Sequence, residues 1–192
     1  MIADKMLEKY RHINVECMDW WDCVYENFKE DMKEHGIDVD KMYFSGFWSQ
    51  GDGACFDGSL DDVQLFLDKN FKPDEYPMIR KLLGDGGTVV LKVEHRGHYY
   101  HENCISYGLD ADRLEHCVKT PTDFHEQIVE QWDKELDTEI VDFEKQSVEI
   151  FKNHMRTLYR TLEKEYDYLT SDEAVQETVI ANDLNVEEDN DE

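Results

Sequence analysis

Residues 42–58, MYFSGFWSQGDGACFDG, hold two short aromatic runs with a polar, glycine-rich cluster between them. The runs cover residues 42–48 and 54–56, and the cluster covers residues 49–53. This order is typical of a β-hairpin, because glycine supplies the positive φ that a tight bend needs. The stretch therefore predicts a hairpin around which the other elements are arranged.

A second hairpin is predicted over residues 88–107. TVVLKVEH and HYYHENCISY are rich in β-branched and aromatic residues, and Arg96-Gly97 lies between them. With Arg96 and Gly97 as the two turn residues, directly opposite side chains would interact across the strands. The facing pairs would be His95–His98, Val93–Tyr100 and Val89–Cys104.

Helical periodicity occurs before, between and after the hairpins. Apolar side chains recur at three- and four-residue steps over residues 3–34, which predicts one helix or two. Residues 60–67 predict a short helix with Ser59 as its N-cap, and residues 78–83 predict a further helical turn.

The C-terminal third is helical in pattern. Residues 121–169 contain no glycine after Pro121, which predicts one very long helix with Thr120 as N-cap or two helices with a bend near residues 137–138. Residues 170–173, Thr-Ser-Asp-Glu, form a capping-box pattern that predicts a separate short helix reaching about Ala181.

These elements predict an α+β protein. Its two β-hairpins would form a small antiparallel sheet packed against N-terminal helices and a long C-terminal helix. A chain of 192 residues fits one domain. We expect a single domain over residues 1–182 and an acidic, mobile tail over residues 183–192.

Negative charge dominates the composition. Asp and Glu number 46 against 20 Lys and Arg, a formal net charge of −26. Direct binding to a nucleic-acid backbone is disfavoured, because neutralising phosphates requires the opposite sign. The expected partner is a protein with a basic surface.

Other features indicate the cytoplasm. No run of 18 apolar residues occurs, so no membrane contact is expected, and the charged N-terminal residues do not form a signal peptide. Five cysteines are an odd number and include no CxxC pair, which favours reduced thiols over a disulfide framework.

The acidity is concentrated in residues 123–149, where ten acidic residues accompany only Lys134 and Lys145. One interpretation is an ordinary solvated helix face. The other is a decoy surface that competes with nucleic acid for a basic cleft. The candidate partner-binding residues are Asp123, Glu126, Glu130, Asp133, Asp137 and Glu144.

The two hairpins carry the candidate ligand-binding residues: Trp48, Ser49, Gln50, Asp52, Cys55, His95, His98, Tyr100 and His101. Residues 49–53 match neither a phosphate-binding loop nor a nucleophile elbow nor a calcium loop. One interpretation is a plain turn in which the Asp52 carboxylate accepts hydrogen bonds from nearby backbone N–H groups. A polar cradle for a nucleotide-like ligand stacked on Trp48 or Phe56 is the other.

The histidines raise two further possibilities. His95, His98, His101 and Cys104 recur every third residue, but strand alternation sends residues three apart to opposite faces. We therefore expect no metal ion, although His95 and His98 on one face, with Cys104 two pairs further along, remain an alternative. No cofactor is expected. Cys55 as a nucleophile with one of these histidines as base requires the hairpins to be neighbours in space.

Four stretches point to a known family: DWWDCVYENF (19–28), YFSGFWSQGDGACFDG (43–58), RGHYYHENC (96–104) and LEKEYDYLTSDEAVQETVIAND (162–183). Together they resemble proteins of phages and mobile elements that are commonly labelled as an antitoxin of a toxin–antitoxin stability system. Glu102-Asn103 departs from the Ser-Gly or Ser-Tyr of relatives, and the link before the first hairpin is shorter than in many of them. The resemblance implies an accessory protein acting in the host cytoplasm. It implies no reaction.

Three functions remain open at this point. The leading one is an acidic, antitoxin-like inhibitor of a toxin or of a host-defence enzyme that processes nucleic acid, with nucleic-acid mimicry as one possible mode. The alternative is a small-molecule-binding or hydrolytic protein whose site is formed by the two hairpins. The third is an assembly protein that oligomerises through the long helix. The sequence determines neither an enzymatic activity nor the oligomeric state.

Overall fold

The computed structural model describes residues 4–16, 19–112 and 123–184, with side chains for all of these except residues 123–130. The elements in chain order are α1 Asp4–Lys9, α2 Ile13–Glu16, α3 Asp22–Glu34, β1 Ile37–Phe44, β2 Ala54–Leu60, α4 Val63–Asn70, α5 Pro77–Gly84, β3 Thr88–His95, β4 Ile105–Asp112, α6 Asp123–Leu169 and α7 Asp172–Ala181. The α+β prediction is confirmed.

The sheet has four antiparallel strands in the order β1-β2-β3-β4. Both predicted hairpins are present, and the pair Gly58–Val93 joins them through β2 and β3. Alternate residues are buried in β3 and from Phe56 to Leu60 in β2, as expected when one face of a sheet packs against helices, whereas Ala54, Cys55 and Phe56 are all buried.

The predicted register of the second hairpin is wrong. β3 ends at His95 as predicted, but β4 begins only at Ile105, and the observed pairs are His95–Ile105, Val93–Tyr107 and Val89–Ala111. His98, Tyr100, His101 and Cys104 therefore lie in a nine-residue loop and not on a strand. The Arg96 N–H donates to the Cys104 carbonyl at 2.8 Å, which closes this loop.

Two boundaries near the first hairpin also differ from the prediction. β1 runs from Ile37 to Phe44, so residues 45–48 belong to the loop and not to a strand. Leu60 pairs with Ile37 at the end of β2, which moves the start of α4 to Val63. Asp62 is the N-cap in place of Ser59, and its Oδ1 accepts the Leu65 N–H at 2.9 Å.

The long C-terminal pattern forms one helix. α6 continues for 47 residues with no break near residues 137–138. The predicted cap at Thr120 and Pro121 lies outside the described residues, as do residues 185–192 of the predicted tail. α7 starts as predicted, with Ser171 Oγ accepting the Ala174 N–H at 3.3 Å.

Two compact units share the chain. The sheet unit, Phe28–Leu158, contains the sheet, α4, α5 and much of α6. The helical unit combines the segment up to Asn27 with the segment from Tyr159 onward. The single-domain boundary at residue 182 stays a prediction.

The sheet unit has an aromatic and aliphatic core. Its largest fully buried side chains are Ile37, Phe56, Phe66, Leu67, Ile79, Leu91, Leu136, Phe143, Phe151, Met155 and Leu158. The Phe56 ring lies 5.7 Å from those of Phe28 and Phe151, so β2 packs between α3 and α6.

Asn14 organises the helical unit. Its Nδ2 donates to the Leu169 carbonyl at 2.9 Å, and its Oδ1 accepts the Thr178 hydroxyl at 2.7 Å. α2, the end of α6 and α7 therefore meet at one side chain. Across the described residues, no helix is long and apolar enough to cross a membrane.

Candidate functional site

Two loops lie against each other at one end of the sheet. The first loop, residues 45–53, joins β1 to β2, and the second loop, residues 96–104, joins β3 to β4. A Cβ added to Gly53 would lie 2.9 Å from the Tyr100 carbonyl oxygen, and one on Gly51 would lie 3.3 Å from the Tyr99 ring. The two predicted hairpins are therefore neighbours in space, and only glycine permits the backbones to approach this closely at Gly53.

Asp52 holds the first loop in shape. Its Oδ2 accepts the N–H groups of Trp48 at 2.9 Å and Ser49 at 2.6 Å, and its own N–H donates to the Ser49 carbonyl at 3.1 Å. The Ser45 Oγ accepts the Gly53 N–H at 3.2 Å across the loop. These bonds agree with the plain-turn interpretation, because the Asp52 carboxylate accepts hydrogen bonds from backbone N–H groups of its own loop.

An aromatic stack joins the sheet to the second loop. The Tyr43 and Tyr100 rings stack at 5.3 Å, and the His95 ring lies 5.0 Å from each of them. The Lys41 ammonium lies 4.8 Å from the centre of the Tyr43 ring on β1. Contacts of this kind fix the ring positions, so the second loop is anchored on the sheet.

Asp57 is hydrogen-bonded to two residues of the aromatic stack. Its Oδ2 accepts the Tyr43 hydroxyl at 2.7 Å, and its Oδ1 accepts the His95 N–H at 2.6 Å. The bond to Asp57 raises the pKa of Tyr43 to about 12, with burial as a second cause. The phenol therefore remains a hydrogen-bond donor and is unsuited to act as a base near neutral pH.

Cys55 lies on β2 opposite Tyr43 and is fully buried. Burial, followed by the nearby charges of Asp57 and Cys104, raises the pKa of its thiol to about 12. The thiolate is the nucleophilic form of cysteine. This environment therefore argues against Cys55 as an activated nucleophile.

Trp48 and Tyr99 are the large apolar side chains most exposed in the two loops, at 75% and 58%. The Trp48 ring meets the Phe47 ring edge-on at 6.0 Å, and the Tyr99 ring meets the His98 ring at 5.2 Å. Ser49, Gln50 and His98 are also exposed. The two loops together, called the loop end below, thus present aromatic and polar side chains to solvent.

The predicted ligand-binding residues thus fall into separate environments. His95 and Tyr100 are in ring contact, whereas Asp52 is bonded within its own turn and Cys55 is buried in the sheet. His101 Nδ1 accepts the Asn103 N–H at 3.2 Å within the second loop. Throughout the described part of the chain, no three His, Cys, Asp or Glu side chains are grouped to hold a metal ion.

Tyr43 and Asp57 were missed by sequence reasoning. A signal for them was available in the hairpin itself. Once Phe44 is paired with Ala54, Tyr43 must face Cys55 and Lys41 must face Asp57, which places all four on one face. The predicted hairpin starts at residue 42, whereas β1 begins at Ile37, and the pairing of these four residues was therefore not recognised.

Several carboxylates of α6 bind other elements of the sheet unit. Glu139 accepts the N–H groups of Met78 and Ile79 at the start of α5. Asp142 accepts the Tyr76 hydroxyl at 2.9 Å, and Glu144 accepts the Leu109 N–H of β4 at 3.0 Å. The acidic part of α6 is therefore also a structural support.

The predicted partner-binding residues are only partly described. Asp137 is exposed, Asp133 is half-buried, and Glu144 has one oxygen committed to β4. The side chains of Asp123, Glu126 and Glu130 lie outside the described residues. Whether these residues bind a partner stays a prediction.

Comparison with known proteins gives one family match. The model described as "Domain of unknown function (DUF8835)" matches residues 20–172, about four fifths of the chain. No curated protein matches the chain. No solved structure matches it either.

Proposed function

This chain belongs to the DUF8835 family, and we propose that it is an acidic, antitoxin-like binding protein that inhibits a partner by occupying the partner's basic surface. The partner class is a toxin or host-defence enzyme that processes nucleic acid. The observation that carries the proposal is the net charge of −26 together with the presentation of exposed carboxylates on one uninterrupted helix.

The exposed carboxylates of α6 form the proposed contact surface. Glu135, Asp137, Asp142 and Glu149 are exposed, and Leu136, Phe143 and Ser147 of the same stretch are buried. A helix with one buried stripe is held rigidly, so its exposed charges keep fixed positions. Fixed charges of one sign raise the association rate of an oppositely charged partner.

Several bonds of the α6 carboxylates leave their negative charge in place, whereas Glu149 is paired with the Lys152 ammonium at 3.2 Å. Glu139 and Glu144 accept backbone N–H groups, and Asp142 accepts a phenol. These donors are neutral, so they orient the carboxylates without supplying a positive charge.

Attraction to a basic surface needs less charge than mimicry of a duplex. Residues 135–149 span about 21 Å along a helix axis and carry the four exposed carboxylates. Duplex DNA carries about one charge per 1.7 Å of its axis. The geometry therefore supports electrostatic capture more directly than faithful mimicry.

The family resemblance supports the biological setting. The stretches quoted in the sequence analysis resemble proteins of phages and mobile elements labelled as antitoxins, and that resemblance favours a toxin or host-defence enzyme as the partner. The bonds of Asp52 within its own turn and the raised pKa of the buried Cys55 thiol argue against a hydrolytic site that uses either side chain.

The test begins with capture from a host lysate by the immobilised protein at low salt, followed by identification of the captured protein. The association rate of the purified pair is then measured at about 50 and 500 mM salt. We expect a fall of at least about tenfold, because salt screens steering between charged surfaces. A rate that is unchanged by salt would contradict the proposal.

A pair of triple variants locates the surface. Glu135→Gln, Asp137→Asn and Glu149→Gln together neutralise three exposed charges of α6. Glu8→Gln, Asp167→Asn and Glu177→Gln change the net charge equally, at exposed positions of the helical unit. We expect the first set to slow association several-fold more than the second. Equal effects of the two sets would show that α6 is not the contact surface.

A further inference from the structure

The two loops at the end of the sheet form a rigid surface. The first loop is held by Asp52 and by the Ser45–Gly53 bonds, and the second is held by the stack of Tyr100 on Tyr43. The Arg156 Nε of α6 also donates to Glu102 in the second loop at 3.0 Å. A surface that is already ordered loses little conformational entropy when it binds.

This surface has the side chains of a protein-recognition site. Trp48 and Tyr99 are exposed on neighbouring loops, which also carry the exposed Ser49, Gln50 and His98. Trp and Tyr supply large contact areas at a low entropic cost, and they are enriched among the residues that dominate binding energy. Trp48 is 75% exposed even though its ring meets the Phe47 ring edge-on at 6.0 Å.

The net negative charge of the chain indicates which class of ligand the two loops would bind. A nucleotide could also stack on an indole, but it would approach a chain of net charge −26 against electrostatic repulsion. A guanidinium ion stacks on the face of Trp, and the net negative charge of the chain favours its approach. The matching occupant is therefore an arginine side chain on a basic protein.

We propose that the loop end, formed by Trp48 and Tyr99 on the two locked loops, is a specificity surface that takes an arginine of the basic partner against the Trp48 ring. This inference rests on the proposed function, because it assumes a basic partner. The carboxylates of α6 then accelerate the encounter, and Trp48 slows dissociation and distinguishes arginine from lysine.

The test uses nona-arginine and nona-lysine peptides as probes of equal length and charge. Binding at about 50 mM salt is followed by fluorine NMR of protein labelled with 5-fluorotryptophan, in which Trp48→Phe identifies the Trp48 signal. We expect nona-arginine to shift that signal and to bind more tightly than nona-lysine. Trp48→Ala should weaken nona-arginine binding about tenfold and change nona-lysine binding less than about twofold.

Tyr168→Ala is the matched control, because Tyr168 is a comparably exposed aromatic residue of the helical unit, at 55%. We expect it to leave both affinities unchanged. Equal binding of the two peptides, unaffected by Trp48→Ala, would overturn the loop proposal and leave the acidic-binder function intact. No binding of either peptide would instead contradict the proposed function. A shift of the Trp48 signal by ATP and not by nona-arginine would overturn the arginine assignment in favour of a nucleotide.

Discussion

The Glu139 carboxylate of α6 accepts the Met78 N–H of α5 at 2.9 Å, so a residue of the acidic segment caps a neighbouring helix. α5 has no side-chain cap of its own, because its N-cap residue is Tyr76 in a left-handed conformation. A carboxylate is favourable at a helix N-terminus, where unpaired N–H groups carry partial positive charge. The acidity of α6 thus contributes to the fold as well as to the net charge.

Replacing Glu139 by Ala should lower the free energy of unfolding by about 1–2 kcal/mol, because the first N–H groups of α5 lose a charged acceptor. Urea unfolding monitored by circular dichroism measures the loss. Glu135→Ala is the control, since Glu135 is exposed and bonds to Gln131 within its own helix. Similar losses for the two variants would contradict the capping role.

Replacing Gly53 by Ala should push the two loops apart. The added Cβ would lie 2.9 Å from the Tyr100 carbonyl and 3.1 Å from the His101 Cα, and neither backbone atom can move alone. We expect a loss of about 1–3 kcal/mol in thermal or urea unfolding. Gly108→Ala in β4 is the control, because nothing lies within 4 Å of its added Cβ. A neutral effect at Gly53 would show that the loops do not touch.

His154 should make the stability of the protein depend on pH. Burial and the neighbouring His35, whose ring lies 5.3 Å away, lower the pKa of His154 from 6.5 to about 4, with Asp31 opposing them. Between these two values the unfolded chain binds more protons than the folded one. The stabilisation is therefore complete above about pH 6.5 and is lost as the pH falls towards 4.

The measurement is urea unfolding of the wild type and of His154→Gln across pH 7.5 to 4. We expect the difference between the two to change by about 2 kcal/mol, after allowance for partial exposure of the ring. His98→Gln serves as control, because His98 is exposed on the second loop. A constant difference between the wild type and His154→Gln would show that His154 is not held neutral by its surroundings.

Cys55 should resist alkylation in the folded protein. Its thiol is buried and its pKa is raised to about 12, whereas Cys23 is exposed. Iodoacetamide at pH 8, followed by peptide mass spectrometry, should label Cys23 and leave Cys55 unlabelled until urea is added. Rapid native labelling of Cys55 would revive the nucleophile hypothesis.

Local patterns of the sequence predicted the elements of the fold well. The Ser171 cap, the unbroken helical pattern of α6 and the glycine-rich cluster of the first hairpin each depend on neighbours within a few residues. The errors arose where a distant residue decides. Leu60 extends β2 because it pairs with Ile37, and the second hairpin has a nine-residue loop in which Tyr100 stacks on Tyr43.

The sequence by itself therefore determined the α+β class, the identity of most elements and a strong negative charge, because periodicity, capping and composition are local or additive properties. Only the tertiary structure decided the strand register, the burial of Cys55 beside Asp57 and the contact between the two loops. It also decided which carboxylates of α6 support the fold. These features depend on pairs of residues far apart in the chain, and a linear pattern does not specify which distant partners meet.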